Sequence, residues 1–223
     1  MYEGPKLVIY PGGMGGQKTA YAILDLQRIR DGTHYGFKAF KPKNSEREGI
    51  DLGKAKLISR AGPTIEAITV PEDQPERILD LVGRKDIFVL IDEAHMFNSN
   101  LQKVVDTLLS RRNVVHAAFL INDYGDRVFP NAAYLMSQAD ECTGFYHGIC
   151  KEPGCRNKGV HSQLLVIEGR GKKKRESLVP YHGKKNIISG DIKGGIKKVQ
   201  YRPRCHDHYV RPENHPDFKE EKR

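Results

Sequence analysis

The segment "GGMGGQKT", Gly12 to Thr19, lies between the apolar run "KLVIY" and the run "AYAILDLQRI", and no other stretch narrows the fold as far. A buried strand that enters a glycine-rich turn and then a helix presents backbone N–H groups and a helix N-terminus to one small region, which favours bound anions. Lys18 adds an ammonium for phosphate oxygens, and Thr19 adds a hydroxyl for a divalent cation. Gly12, Gly13, Met14, Gly15, Gly16, Gln17, Lys18 and Thr19 are thus the candidate phosphate-binding residues, with Mg2+ expected alongside the phosphates. One position departs from GxxxxGK[ST]: Gln17 replaces the glycine that permits an unusual dihedral or a close backbone approach. A glycine-rich turn that only caps a helix is the competing reading.

Downstream, strands and helices alternate. Ala22, Ile23, Leu26 and Ile29 recur at helical spacing from Lys18 to Arg30, and "DGTHYG" ends that helix. "FKAFK", "KLISR" and "IEAITV" are short strands, and a helix is predicted from Pro75 to Val82 with Ile78, Leu79 and Val82 buried. "DIFVLIDEAH" is the strongest strand, followed by the helix "NLQKVVDTLLS", the strand "VVHAAFLI" and the helix "PNAAYLMSQA" with Pro130 at its first position. The alternation over residues 1–148 predicts an α/β, P-loop (RecA-like) domain with a mostly parallel sheet and helices on both faces. After Cys150 the composition turns to Gly, Lys, Cys, His and Pro. A small C-terminal lobe over residues 149–212, poor in core and in need of a staple, and a polar tail over 213–223 are expected.

Two further groups of residues carry chemistry. Asp92 and Glu93 end the strongest strand, where one carboxylate can hold Mg2+ and the other can act as a base or orient a nucleophile. Cys150, Cys155, Cys205 and His208 form two close pairs, "CKEPGC" and "CHDH", suited to a closed tetrahedral structural zinc site. His147, His161 and His206 are competing ligands, and Cys142 reads as a small core residue.

Composition excludes several classes. No apolar run approaches the roughly 18 residues of a membrane span. "MYEGPKLVIYPGG" has no basic n-region leading into a long apolar stretch, so a cytoplasmic protein is expected. Of the net charge of +9, Arg170, Lys172, Lys173, Lys174 and Arg175 form one basic loop, either a solvated segment or an attractor of phosphate or nucleic acid. "IDEAH" also matches a helicase motif, but the residues after His95 leave no room for a second RecA-like half.

Together these segments resemble the cytosolic, zinc-containing thymidine kinase family. Its GPMFSGK[ST], IDE[AG]QFF and YxxxCRxHY correspond to "GGMGGQKT", "IDEAHMF" and "YRPRCHDHY", over Lys6 to Tyr209. The resemblance implies that Lys18 contacts the ATP phosphates, that Thr19 and Asp92 hold Mg2+, and that Glu93 is the base for the nucleoside 5′-hydroxyl. It further implies that Met96, Leu120, Tyr124, Phe129, Ser162 and Tyr201 surround a thymidine-like deoxynucleoside, that Arg47 lies near the phosphates, and that the enzyme is a homodimer or tetramer. The chain departs from the family at Gln17, at Ser45 in place of an aspartate, at His95 in place of a glutamine, and in its longer basic loop. The expected activity is transfer of the ATP γ-phosphate to thymidine or a related deoxynucleoside. The alternative is a diverged P-loop protein that binds nucleotide or nucleic acid without that activity.

Overall fold

The apolar run after Pro5 becomes strand β1 (Lys6–Gly12), with Leu7, Val8, Ile9 and Tyr10 all buried in the computed structural model. Residues 4–43, 55–59, 61–83, 86–168, 175–178, 190–191 and 197–211 are described by the structure. Arg47, Ser45 and the lysines of the basic loop fall outside them.

The chain divides into two units, each described by itself. The first comprises residues 1–12, 17–121 and 129–146. In it β1 is followed by α1 (Lys18–Gly32), β2 (Phe37–Pro42), β3 (Ala55–Ile58), β4 (Thr64–Val70), α2 (Arg77–Val82) and β5 (Phe88–Ile91). Then come α3 (Asn100–Ser110), β6 (Val114–Leu120), α4 (Pro130–Gln138) and the two-residue β7 (Glu141–Cys142). The sheet order is β3-β4-β2-β5-β6-β1-β7. Every neighbouring pair is parallel except β3 with β4. The predicted mostly parallel sheet is therefore present.

Its strands are apolar on both faces because both are covered. Leu7 and Ile9 of β1, Val89 and Ile91 of β5, and Val115, Ala117 and Phe119 of β6 pack with Ile78 of α2, Leu101, Val104 and Leu108 of α3 and Leu135 of α4. Val8, Tyr10, Phe88, Leu90 and Ala118 point the other way and pack with Ala22, Ile23 and Leu26 of α1. The period-2 alternation thus feeds two cores. Cys142 is not in either: it is exposed on the edge strand β7, contrary to its reading as a core residue. Among the described residues β7 pairs with β1 alone, at the edge of the sheet, where the thiol faces solvent. Among the described residues no helix is long and apolar enough to cross a membrane.

The second unit comprises residues 13–16, 122–128 and 147–223. A hairpin-like pair, β8 (Gly148–Ile149) with β9 (Lys158–Gly159), brackets "CKEPGC". An antiparallel sheet of order β11-β10-β13-β12 is built on β10 (His161–Glu168) and β13 (Lys197–Arg204), with β11 (Arg175–Leu178) and β12 (Gly190–Asp191) at its edges. Leu164 and Leu165 of β10 are buried. This sheet was not legible in the sequence, where the segment had little apolar periodicity.

Candidate active site and metal-binding knuckle

In the first unit, chemistry gathers where β1 and β5 end and α1 begins. Gly12 can only be glycine: a Cβ there would stand 1.8 Å from the Tyr146 carbonyl oxygen, because the two backbones form a parallel bridge. Gln17, the residue before α1, has φ 62° and ψ 22°. That is the left-handed region, which costs a non-glycine residue about 1–2 kcal/mol. The substitution therefore keeps the backbone shape that the loop requires and replaces the residue that adopts it freely. Gln17 still works as a cap through its backbone, whose carbonyl accepts from the amides of Ala20 and Tyr21.

Lys18 and Thr19 open α1, and Lys18 is buried. The Thr19 hydroxyl donates to Asp92 Oδ1 at 2.9 Å, joining two residues 73 positions apart. Asp92 follows β5 and its amide donates to the Phe40 carbonyl of β2 at 2.9 Å, which fixes the carboxyl inside the unit. Burial, and then the neighbouring Glu93, push the Asp92 carboxyl up to about 7, while Thr19 and Lys18 act in the opposite direction. A buried carboxylate with a hydroxyl beside it is a pair of hard oxygen donors, the chemistry that Mg2+ selects.

Glu93 is also left-handed, with φ 50° and ψ 38°. This residue bends the chain out of β5 into a single turn, Ala94–Met96, whose Met96 amide donates to the Glu93 carbonyl at 2.9 Å. Consecutive carboxylates thereby acquire opposite environments: Asp92 is buried, whereas the Glu93 side chain is 37% exposed. Asn131 of α4 holds the turn from below, its amide donating to the Phe97 carbonyl at 2.7 Å.

His95 is a participant that its residue type alone did not reveal. Its ring is buried, and burial lowers its pKa to about 4, so it is neutral at physiological pH. The Leu120 amide donates to Nδ1 at 3.2 Å, which leaves the proton on Nε2. Nε2 faces Glu93 Oε2 at 3.6 Å, and the ring lies 4.7 Å from that of Phe129. A neutral N–H donor beside the exposed carboxylate is what a glutamine amide would also offer. Of the residues assigned to the nucleoside, Leu120 and Phe129 thus both meet His95, and Met96 lies in the turn next to it.

In the second unit, Gly13 to Gly16 supply the glycine run. Gly148 lies so close to it that a Cβ would be 2.6 Å from the Met14 carbonyl oxygen. Tyr124 and Tyr201 meet edge to face with centroids 6.4 Å apart, and Ser162 is buried on β10 opposite Pro203.

The second unit also brings Cys150, Cys155, Cys205 and His208 together, with one ligand atom from each and all four within 4.8 Å of one another. Cys155 Sγ is 3.8 Å from Cys205 Sγ, and His208 Nδ1 is 3.7 Å from Cys150 Sγ and 3.1 Å from Cys205 Sγ. Tetrahedral zinc with thiolates at about 2.3 Å separates two sulfurs by roughly 3.8 Å, so the group fits that ion. Local structure creates the fit. The Cys155 amide donates to the Glu152 carbonyl across the Pro153–Gly154 turn, and the amides of His208 and Tyr209 both donate to the Cys205 carbonyl. The Lys151 amide donates to the Pro203 carbonyl, and Arg204 pairs with Glu152 at 2.5 Å, tying one knuckle to the other. His161 and His206, the competing ligands, bond to each other instead.

These features define a nucleotide-binding α/β protein that also carries a Cys3His group fit to hold a tetrahedral metal ion. The family model described as thymidine kinase matches residues 6–209, and the chain belongs to that family of ATP-dependent nucleoside kinases. It is 29% identical over 156 residues to the thymidine kinase of Coprothermobacter proteolyticus, covering 70% of this chain and 68% of that one. To the thymidine kinase of Pseudothermotoga lettingae it is 26% identical over 163 residues, covering 73% and 81% of the two chains. Among solved structures, the large terminase of a thermophilic bacteriophage is similar with a TM-score of 0.39 and 10% identity, over 64% of this chain and 40% of that one. That likeness is too slight to bear on fold or function.

Proposed function

We propose that the protein transfers the γ-phosphate of ATP to the 5′-hydroxyl of thymidine or a closely related deoxynucleoside. The observation that carries the reading is the Thr19–Asp92 hydrogen bond with Lys18 beside it and the partly exposed Glu93 next in sequence. Glu93 takes the proton of the 5′-hydroxyl as that oxygen bonds to the γ-phosphorus. The bond from the γ-phosphorus to the bridging oxygen breaks, and ADP leaves. Lys18 and the backbone amides of Gly12 to Gln17 bind the phosphates. Thr19 and Asp92 would hold Mg2+, whose charge neutralises the phosphate oxygens. Most of the acceleration then comes from positioning and charge stabilisation.

Met96, Leu120, Tyr124, Phe129, Ser162 and Tyr201 are the residues assigned to the nucleoside. That assignment rests on the family pattern, with the aromatic pairing of Tyr124 and Tyr201 in support. Zinc at Cys150, Cys155, Cys205 and His208 is structural in this reading. Arg47 is assigned to the phosphates by the same pattern, and the enzyme is taken to assemble as a dimer or tetramer, which light scattering reads directly.

The test is Glu93→Gln. Turnover is expected to fall by about 10²- to 10⁴-fold, the usual contribution of a general base, with the affinity for ATP changed by less than about threefold. Equal turnover in wild type and variant would remove Glu93 from the reaction.

A further inference from the structure

The segment "CHDHY" uses its residues alternately. Cys205 and His208 belong to the Cys3His group, while Tyr209 reaches the loop of residues 122–128 directly and His206 reaches it through His161. His206 Nδ1 is 2.9 Å from His161 Nε2, and His161 Nδ1 is 3.0 Å from Asp126 Oδ1. The Asp126 carboxylate oxygen accepts, so His161 donates from Nδ1, and a neutral His161 then accepts at Nε2 from the His206 Nδ1–H. These bonds link His206 to Asp126 through His161. Beside it, the Tyr209 ring stacks on His161 at 4.4 Å and 9°, and its hydroxyl donates to the Tyr124 carbonyl at 2.8 Å.

The loop needs such a grip. Asp126 is left-handed at φ 63°, and the loop's own ties are short-range: Asn122 Nδ2 to Asp126 Oδ1, and the Gly125 and Arg127 amides to Asp123 Oδ1. Those bonds shape the turn, and the bonds from His161 and Tyr209 tie it to β10 and to the segment after β13.

We propose that the metal-binding turn Cys205–His208 is the clamp that positions the loop of residues 122–128, so that metal occupancy sets the placement of Tyr124 and, through it, affinity for the nucleoside. The last clause rests on the function proposed above; the first does not. A bound ion would fix the backbone of residues 205–208, and with it the directions in which His206 and Tyr209 point.

Hydrogen exchange of the amides of residues 122–128 tests this in the zinc-loaded protein, the chelator-stripped protein, and the variants Tyr209→Phe and His161→Phe. Neither variant alters a metal ligand, and metal analysis verifies retention. Tyr209→Phe removes one hydroxyl and no ring, so it guards against a folding defect. Exchange in the loop is expected to rise about three- to tenfold for each hydrogen bond lost, and further on stripping, while the amides of β1 and β6 stay protected. In the same variants KM for thymidine should rise by a similar factor, with kcat and KM for ATP within about twofold. Unchanged loop exchange in both metal-loaded variants and in the stripped protein would overturn the clamp. Loosened exchange in a protein that phosphorylates no nucleoside would keep the clamp and refute the function assigned to the loop.

Discussion

In the first unit Tyr10, Phe40, Leu90 and Phe119 are fully buried on a seven-stranded sheet covered on both faces. The second buries few aliphatic side chains among its described residues, Leu164 and Leu165 foremost, and gathers instead three thiols, an imidazole and a chain of polar contacts. The contrast shows two sources of order in one chain. Apolar burial is distributed, so the first unit tolerates local defects. A metal held by those four side chains would concentrate stabilisation in them, so that the loss of one would remove most of it.

The largest expected effect lies in the second unit. Chelation, or Cys205→Ser, should abolish amide protection across β8, β9, β10 and β13 while leaving that of β1, β5 and β6 in place, since metal binding of this type contributes on the order of 10 kcal/mol. Protection retained after metal loss would erase the contrast. Next in size is Leu90→Ala, which opens a cavity at the centre of the first unit and should cost it about 2–5 kcal/mol without lowering the zinc content.

A third effect depends on pH. Tyr10 donates its hydroxyl proton to Asp25, so it accepts from His116 Nδ1–H, and burial lowers the pKa of that neutral imidazole from 6.5 to about 4. Between those values the unfolded chain binds more protons at this residue, so its contribution is complete above pH 6.5 and is lost as pH falls through 4. The difference in unfolding free energy between wild type and His116→Asn should therefore shift by up to about 3 kcal/mol across that window and be flat above it. A difference that does not vary with pH would show that His116 is not buried as a neutral ring. Smallest is Gln17→Gly, which relieves a left-handed non-glycine residue worth about 1 kcal/mol and should raise the melting temperature by about 2–4 °C. A lower melting temperature would mean that the glutamine side chain contributes more than its backbone costs.

The same contrast governs what could be read from the sequence. The helices at Lys18 and Asn100, the strand before Asp92 and the position of Pro130 all agree with the structure, because a two-faced parallel sheet requires continuous apolar strands and amphipathic helices. The gathering of Cys150, Cys155, Cys205 and His208 was legible from their spacing, which suits a tetrahedral ion. The antiparallel pair β10 and β13 was not: "HSQLLVIE" and "KKVQYRPR" lie far apart in sequence and lack the regular alternation that marks a half-buried strand. Equally hidden were the contacts of His95, His161 and His206. A histidine's partners depend on elements that meet only after folding, and two of these residues had appeared only as rival ligands. Gln17 is the instructive middle case. Its departure from the glycine pattern was visible, but only the dihedrals show that the backbone keeps the shape and the side chain bears the strain.

Phosphoryl transfer to a nucleoside is tested most directly by the fate of the γ-phosphate. Purified zinc-loaded protein with Mg2+, γ-labelled ATP and a panel of thymidine, deoxyuridine and 5-modified uridines should place the label on the 5′-oxygen of at least one of them, thymidine foremost. Nucleotide binding with no label on any nucleoside, above all if nucleic acid were bound instead in a salt-sensitive manner, would contradict it.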